Sequence, residues 1–220
     1  MTPFVDLHTH KASADGDVVS VVNLSATEDP CGEGFFSMGI HPWSLDDTHF
    51  DVEKFFAELE RKLDDRRIVA LGEAGLDRAH SVTLPRQMDV FERQVALSER
   101  FGLPLVIHNV RCTNELLAFR NRLKPTHRWI VHGFAAGLDE ARQLIDHGFL
   151  LSVGAALFDN RRKIVNALPE IGQENLFFET DTSDVSIIKV YEKAAELLGL
   201  SVSTLCEDVW ERFIQIHPLQ

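Results

Sequence analysis

The sequence predicts an α/β fold, specifically a distorted TIM-type (β/α) barrel whose outer helices are missing in the first third of the chain. Three observations lead to this prediction. Short apolar runs recur along the 220 residues, amphipathic helical patterns separate the later runs, and ligand-type residues end several of them. Apolar residues at consecutive positions are typical of parallel strands buried on both faces, and their alternation with helices indicates a parallel sheet, either closed or open.

Eight candidate strands can be read from the apolar runs. They cover residues 4–8, 18–23, 35–40, 68–72, 103–108, 129–132, 149–153 and 176–180. Only seven residues, 11–17, join the first two strands, whereas a parallel crossover needs about a dozen or more. The link over 25–34 is also short, and it contains Gly, Pro and Asp residues that disfavour a helix. We therefore expect both links to lack helices and the barrel to be distorted or partly open there.

Amphipathic helices are predicted farther along the chain, over residues 51–65, 86–100 and 184–198. Phe56 and Leu59 fall on one apolar stripe of the first helix. Gly102 supplies a C-terminal stop for the second. The third is expected to begin at an Asp184 cap and to end before Gly199.

The bulk composition indicates one globular domain over residues 1–220, with 45% hydrophobic and 25% charged residues. No apolar stretch reaches the about 18 residues of a membrane span, so no membrane association is expected, and the N-terminus has no signal-peptide pattern. The three cysteines have no metal-type or redox spacing, so a cytoplasmic protein is expected. The net charge of −12 argues against a protein that coats duplex DNA. A monomer or small homo-oligomer is expected.

Metal-ligating residue types lie at the ends of five candidate strands. His8 and His10 are two residues apart, so both imidazoles point to the same side of an extended backbone. The other strand-end candidates are Glu73, His108, His132, Glu179 and Asp181. In a (β/α) barrel all C-terminal strand ends meet at one mouth. A single histidine there is more often a hydrogen-bonded buried residue, but the recurrence predicts a shared site for Zn²⁺, Mn²⁺, Mg²⁺ or Fe²⁺.

Six segments resemble the successive motifs of the TatD family of metal-dependent hydrolases, and the resemblance runs from residue 4 to about residue 216. They are VDLHTH at 5–10, MGIHPW at 38–43, GEAGLD at 72–77, PLVIH at 104–108, VHGF at 131–134 and FETD at 178–181. Known members are deoxyribonucleases, often exonucleases that use Mg²⁺, and others are esterase-like or uncharacterised.

The resemblance implies a site for two divalent metal ions, Mg, Mn or Zn. It assigns the ligands to two groups, His8, His10 and Asp181 for one ion and His108 and His132 for the other, with Glu73 as the bridge. Glu73 and Asp181 would be the catalytic carboxylates. Asp181 would orient the attacking water and accept its proton, or would act as a ligand only.

Further candidates lie around the substrate and behind the ligands. The resemblance implies that His41 contacts the substrate phosphate; the alternative is a structural histidine in a strand-end turn. Arg111 could reach a phosphate with its long side chain, or could lie on the surface. Three carboxyl groups, Glu179, Asp6 and Asp77, would support the ligands by hydrogen bonds.

The chain departs from the family pattern at several positions besides its short early links. Asn109 and Val110 stand after His108, where the family has Ser-Arg, and the turn after His132 lacks the usual Ser. Residues 182–184 run directly into a helix, where the family has a Pro, an aromatic residue and a long basic loop. The loss of that loop favours a small phosphodiester, a nucleic-acid end or another ester as the substrate.

The sequence therefore predicts a metal-dependent hydrolase of the TatD type, which cleaves phosphodiester or related ester bonds by metal-activated water and would include deoxyribonuclease activity. One alternative is an amidohydrolase-like C–N hydrolase, which is less favoured because no lysine ends a strand to carry a carbamate bridge. The other alternative is a non-catalytic metal-binding protein, which the lost basic loop favours and the complete ligand set disfavours.

Overall fold

The structure, a computed structural model, describes residues 2–47 and 49–217 and contains one sheet of eight parallel strands. The strands pair in chain order, each with the next. Their bounds are β1 Phe4–Thr9, β2 Val18–Ser25, β3 Phe35–Gly39, β4 Ile68–Asp77, β5 Leu105–Val110, β6 Trp129–Val131, β7 Phe149–Val153 and β8 Leu176–Phe178. The sheet curls into a nearly closed barrel, which confirms the predicted fold class.

Helices follow the strands from β3 onward. They are α1 Val52–Lys62, α2 Leu84–Phe101, α3 Thr113–Leu123, α4 Leu138–Asp146, α5 Lys163–Ala167, α6 Ile187–Leu198 and α7 Val202–Ile216. Within the described residues no helix joins β1 to β2 or β2 to β3, so the prediction of missing early helices is confirmed. The first three strands nevertheless pair without a gap, and the distortion appears as a register shift between Asp6 and Thr9 of β1.

The seam of the barrel lies between β1 and β8. A single parallel bridge joins Thr9 to Asp181 there: the Asp181 N–H donates to the His8 carbonyl at 2.9 Å, and the His10 N–H donates to the Asp181 carbonyl at 3.3 Å. Deeper in the barrel, the buried hydroxyl of Tyr191 on α6 donates to the Val5 carbonyl at 3.0 Å and accepts from the Val5 N–H at 3.2 Å. Side-chain hydrogen bonds thus satisfy backbone groups that an open strand edge would leave unpaired.

Two element boundaries differ from the sequence-based prediction. Strand β4 continues to Asp77, so Glu73 lies inside the strand and does not follow it. Helix α6 begins at Ile187 with Ser186 at its N-cap, so the prediction of an Asp184 cap is wrong. Residues 183–185 instead form a turn in which the Val185 N–H donates to the Ser183 hydroxyl at 3.1 Å. This local side-chain bond competes with an earlier helix start.

A buried lysine fixes the loop that replaces the second outer helix. The ammonium group of Lys62, at the end of α1, donates to the carbonyls of Ala26 at 3.0 Å and Glu28 at 2.7 Å, and pairs with the Asp29 carboxylate at 2.9 Å. Since Lys62 is buried, these three oxygens offset its loss of hydration. The β2–β3 loop is therefore tied to α1, although it contains no helix of its own.

No helix of the described part of the chain is long and apolar enough to span a lipid bilayer.

The backbones of β4 and β5 are in close contact at Gly75. Gly75 has φ of 155°, and a Cβ atom there would overlap the carbonyl oxygen of His108 on β5. We expect Gly75→Ala to lower the free energy of unfolding by about 3 kcal/mol or more, because neither backbone can move without breaking the ladder. Gly16→Ala is the matched control, since no heavy atom lies within 4 Å of the added group. Urea unfolding of both variants checks this, and equal midpoints would contradict it.

A second prediction concerns His217, which is buried where α7 ends. Its Nδ1 contacts the Phe213 carbonyl at 2.7 Å, and burial lowers the pKa of His217 to about 4. An unfolded histidine takes up a proton near pH 6.5, so the stabilisation is complete above that pH and is lost as pH falls from about 6.5 to about 4. The loss amounts to about 3 kcal/mol at most, because each pKa unit corresponds to about 1.4 kcal/mol.

Urea unfolding at pH 5 and pH 7.5 measures this loss. His217→Gln, which retains a donor, should reduce the difference between the two pH values, whereas the exposed His49→Gln should not. The same pH dependence in His217→Gln and the native protein would rule out this role for His217.

Candidate metal centre

The six predicted metal ligands come together at the mouth formed by the C-terminal ends of the strands. They form two overlapping clusters, one with His8, His10 and Asp181 and the other with His8, Glu73 and His132, and a third cluster joins Glu73, His108 and His41. Within each cluster, the potential ligand atoms lie within 4.8 Å of one another. The parallel register of the sheet brings these residues together, because each lies in or just after a strand whose end opens to this mouth.

The first cluster lies across the barrel seam. The His10 Nε2 atom is 3.4 Å from Asp181 Oδ1, and the His8 Nε2 atom is 3.8 Å from the same oxygen. Asp181 has φ of 50°, and its backbone bonds to β1 hold it beside the two histidines. Although burial alone would raise the pKa of Asp181, its contact with His10 and the nearby imidazoles lower it. This carboxylate is therefore ionised at neutral pH.

Glu73 occupies the centre of the site, with a side chain that is only 6% exposed. Its Oε1 atom lies 2.7 Å from His132 Nε2, 2.8 Å from His108 Nδ1 and 3.1 Å from His41 Nε2. Burial would raise the pKa of Glu73, but hydrogen bonds from the surrounding imidazoles hold it below its usual range. The site therefore contains a buried carboxylate whose charge is compensated by ring nitrogens.

His8 provides the test of whether these residues fit a metal ion. Its side chain is fully buried, and neither ring nitrogen has a hydrogen-bond partner among the described residues. Its Nε2 atom points to the Glu73 Oε2 atom at 3.4 Å and to Asp181 at 3.8 Å, which are weak or too long as hydrogen bonds. A buried imidazole without partners is costly, and a cation between these atoms would satisfy it. The nitrogen and carboxylate donors suit Zn²⁺, Mn²⁺ or Mg²⁺.

Two histidines of the site have raised pKa values. The contact with Asp181 raises the pKa of His10. Burial would lower the pKa of His132, but its contacts with Glu179 and Glu73 raise it well above the usual range. The local field of the carboxylates thus favours positive charge, either as protons on the rings or as a bound cation.

Of the three carboxyl groups that were expected behind the ligands, Asp77 and Glu179 contact ligand histidines, and Asp6 contacts Thr180, the residue before Asp181. Asp6 accepts from the Thr180 N–H at 2.8 Å and hydroxyl at 2.7 Å, and burial raises the pKa of Asp6 to about 7. Asp77 Oδ2 lies 3.3 Å from His108 Nε2. Glu179 accepts from the Gly133 N–H at 2.6 Å and lies 3.5 Å from His132 Nδ1. Their supporting role stays a prediction.

His41 lies within the third cluster, with its Nε2 atom 3.1 Å from Glu73 Oε1. Its Nδ1 atom accepts from the Trp43 N–H at 3.1 Å, which directs Nε2 toward Glu73. Gln94 fixes the preceding residue, since it accepts from the Ile40 N–H at 2.7 Å and donates to the Ile40 carbonyl at 3.0 Å. The structure therefore makes His41 a further candidate ligand, and its contact with a substrate phosphate stays a prediction.

Arg111 is not brought to the metal cluster. It has φ of 56° and borders a separate cavity beside α3 and α4, together with Arg78. The Arg111 carbonyl accepts from the Arg78 side chain at 3.0 Å, and Arg78 pairs with Glu115. Its predicted contact with a substrate is therefore not supported by its position here.

A cavity of about 480 Å³ opens above the cluster and contains residues that the sequence analysis did not single out. Asn23, at the end of β2, accepts from the Glu73 N–H at 2.8 Å through Oδ1. Trp43 forms part of the outer wall. The sequence signal for Trp43 is its place at the end of the MGIHPW motif, and that for Asn23 is its place at the end of a candidate strand. Neither signal predicts the contact with the cluster, because the partners lie on other strands.

The chain is similar to proteins of one known family. The family model described as TatD related DNase matches residues 7–216. An uncharacterized metal-dependent hydrolase of Haemophilus influenzae is 26% identical, over 80% of this chain and 68% of its own length. The uncharacterized metal-dependent hydrolase TatD of Mycobacterium tuberculosis is 31% identical, over 67% of this chain and 57% of its own length. The chain therefore matches less than two thirds of some of these relatives.

Two further proteins extend the comparison. The 3'-5' ssDNA/RNA exonuclease TatD of Edwardsiella piscicida is 29% identical, over 81% of this chain and 72% of its own length. The crystal structure of the TatD homolog YjjV from Escherichia coli has a TM-score of 0.82 at 19% identity, and the match covers 99% of this chain and 98% of that one. At that identity the structural likeness supports the fold alone.

The raised pKa values of His10 and His132 lead to a prediction about metal binding. A cation binds neutral imidazole, so binding must displace the protons that these rings hold. We expect Mn²⁺ or Zn²⁺ binding to release protons, and affinity to rise with pH. Calorimetry in buffers of different ionisation enthalpy measures this release. His10→Gln should reduce it and His49→Gln should not. Metal binding without proton release would contradict the prediction.

Proposed function

Because the chain belongs to the family of TatD-related DNases, we propose that it is a metal-dependent hydrolase that cleaves phosphodiester or related ester bonds. The observation that carries this proposal is the buried, unpartnered imidazole of His8 between two carboxylates, at the centre of a converging ligand set. Such an arrangement is difficult to explain as structural stabilisation, since a buried polar group without a partner lowers stability.

We propose two divalent ions, Mg, Mn or Zn. One would be held by His8, His10 and Asp181, and the other by His108 and His132, with Glu73 shared between them. The two oxygens of Glu73 support this division, because Oε2 faces His8 and Oε1 faces His108 and His132. Bound divalent ions would supply Lewis-acid activation of water and of a phosphoryl oxygen.

The chain's own carboxylates would have different roles. Glu73 is only 6% exposed and is surrounded by imidazoles, so it would hold charge in place beneath the cavity. Asp181 is 40% exposed and faces the cavity, and its lowered pKa keeps it ionised. We therefore assign to Asp181 the orientation of the attacking water and the acceptance of its proton.

The substrate class proposed is a small phosphodiester, a nucleic-acid end or a related ester. The exonuclease name of the Edwardsiella piscicida relative supports a nucleic-acid end. The net charge of −12 argues against tight coating of duplex DNA, since a bound strand needs compensating positive charge along its length. Three expectations stay predictions: a single domain over 1–220, a monomer or small homo-oligomer, and a cytoplasmic location. The free thiols of all three cysteines support the cytoplasmic location.

A turnover comparison tests the proposed function. The native chain should cleave a single-stranded oligonucleotide or bis(p-nitrophenyl) phosphate with Mg²⁺, Mn²⁺ or Zn²⁺, and chelation should abolish cleavage. Asp181→Asn should lower kcat by about 100-fold or more, because an amide cannot accept the proton. Asp146→Asn, an exposed carboxylate at the end of α4, is the matched control.

The alternatives predict other outcomes. Turnover of amides or lactones without phosphodiester cleavage would indicate a C–N or lactone hydrolase. Two bound ions without turnover of any ester or amide would indicate a non-catalytic metal-binding protein, and either result would refute the phosphoesterase proposal.

A further inference from the structure

The outer wall of the metal cavity carries an exposed tryptophan. Trp43 lies in the short turn after β3, and 52% of its surface is exposed although it is among the largest apolar side chains of the protein. It borders the same cavity of about 480 Å³ as Glu73, His108 and Asp181. Burial in the core does not explain a tryptophan at this position, since much of its ring faces solvent beside the metal cluster.

The indole ring is held in one orientation although it is exposed. Its Nε1–H donates to Asp77 Oδ2 at 2.7 Å. One ring face stacks on His80, with centroids 5.3 Å apart and planes at 13°, and the His41 ring meets the indole edge to face at 5.0 Å. A ligand that packs against Trp43 would therefore meet a preorganised surface and would pay little entropy for ordering it.

The cavity beside Trp43 suits a flat ring with polar edges. Leu24, Ile40 and Phe55 contribute apolar surface. The Oδ1 atom of Asn23 is occupied by the Glu73 N–H at 2.8 Å and the Ser37 hydroxyl at 3.1 Å. The amide NH₂ of Asn23 is thus turned away from these donors and is available to a ligand.

The charges of the cavity indicate a short ligand. Among the described residues that border it, none is a lysine or arginine, and Glu28 adds a negative charge at its edge. Arg78, Arg111 and Lys163 surround the separate cavity beside α3 and α4. A nucleic-acid strand with several phosphates would have no lysine or arginine to pair with in this cavity. Its affinity beyond the metal cluster must therefore come from another contact.

We propose that Trp43 is a stacking platform for one planar ring, of nucleobase size, on a substrate whose phosphate lies at the metal cluster. The substrate is then a ring-bearing phosphoester end, recognised one unit at a time, and not a long strand. This inference rests on the proposed function, because it uses the metal cluster as the phosphate site. Stacking on an aromatic side chain is tolerant of base identity, so little preference among the bases is expected.

The test compares binding of two probes that share a sugar and a phosphate. Adenosine 5′-monophosphate carries a ring and ribose 5-phosphate does not, and calorimetry with the Mn²⁺-loaded protein gives the Kd of each. We expect the nucleotide to bind the native protein about 10-fold tighter or more. Trp43→Leu should abolish this difference and leave the Kd of ribose 5-phosphate unchanged, whereas Trp43→Phe should retain most of it.

Phe158→Leu is the matched control, because Phe158 is 46% exposed in the turn after β7 and does not border the cavity. Tryptophan fluorescence gives a second readout, since the nucleotide should quench emission in the native protein and not in Trp43→Leu. Trp129 is fully buried and should not respond.

The outcomes separate this inference from the proposed function. Equal Kd values for the two probes would overturn the stacking platform, even if phosphodiesters are cleaved. Retention of the 10-fold difference in Trp43→Leu would also overturn it, by placing the ring elsewhere. A tryptophan-dependent difference in Kd without turnover of any phosphodiester would support the platform and refute the proposed hydrolysis.

Discussion

The burial of the Glu73 carboxylate among imidazoles is the constraint on which the mouth of the barrel depends. A carboxylate removed from water needs several donors or a cation, and here the ring nitrogens of His8, His41, His108 and His132 surround it. These rings come from β1, from the turn after β3, from β5 and from the end of β6. The convergence of these rings depends on the register of the strands, and at Gly75 the close contact between β4 and β5 leaves no room for a side chain.

Neighbouring carboxyl groups connect the imidazoles around Glu73 to the surrounding residues. Asp77 contacts His108 and also accepts from the indole of Trp43, so a metal-ligand candidate and the cavity wall share one oxygen. Glu179 similarly links His132 to the backbone of Gly133. These carboxyl groups thus connect the candidate ligands to the surrounding wall and backbone by hydrogen bonds.

The sequence was sufficient to predict the barrel and the convergence of the candidate ligands at its mouth, because both depend on local pattern. Each ligand lies at or near the end of an apolar run, and a parallel barrel sends all such ends to one mouth. What could not be predicted depends on contacts between distant segments. The sequence near Asp184 permits a cap, but the bond of Val185 to Ser183 delays α6. The positions of Arg111, Asn23 and Trp43 relative to the cluster likewise depend on β2, β3 and β5 being in place.

The bridge between Thr9 and Asp181 joins residues from the two ends of the barrel, so the site is completed late in synthesis and folding. In the first cluster, His8 and His10 are among the first residues to be synthesised, whereas Asp181 follows all eight strands along the chain. Contacts of such sequence separation form slowly, since a long loop must close before they are made. A ribosome-bound or truncated chain that stops before residue 181 has the two histidines without their carboxylate, and it cannot form the first cluster.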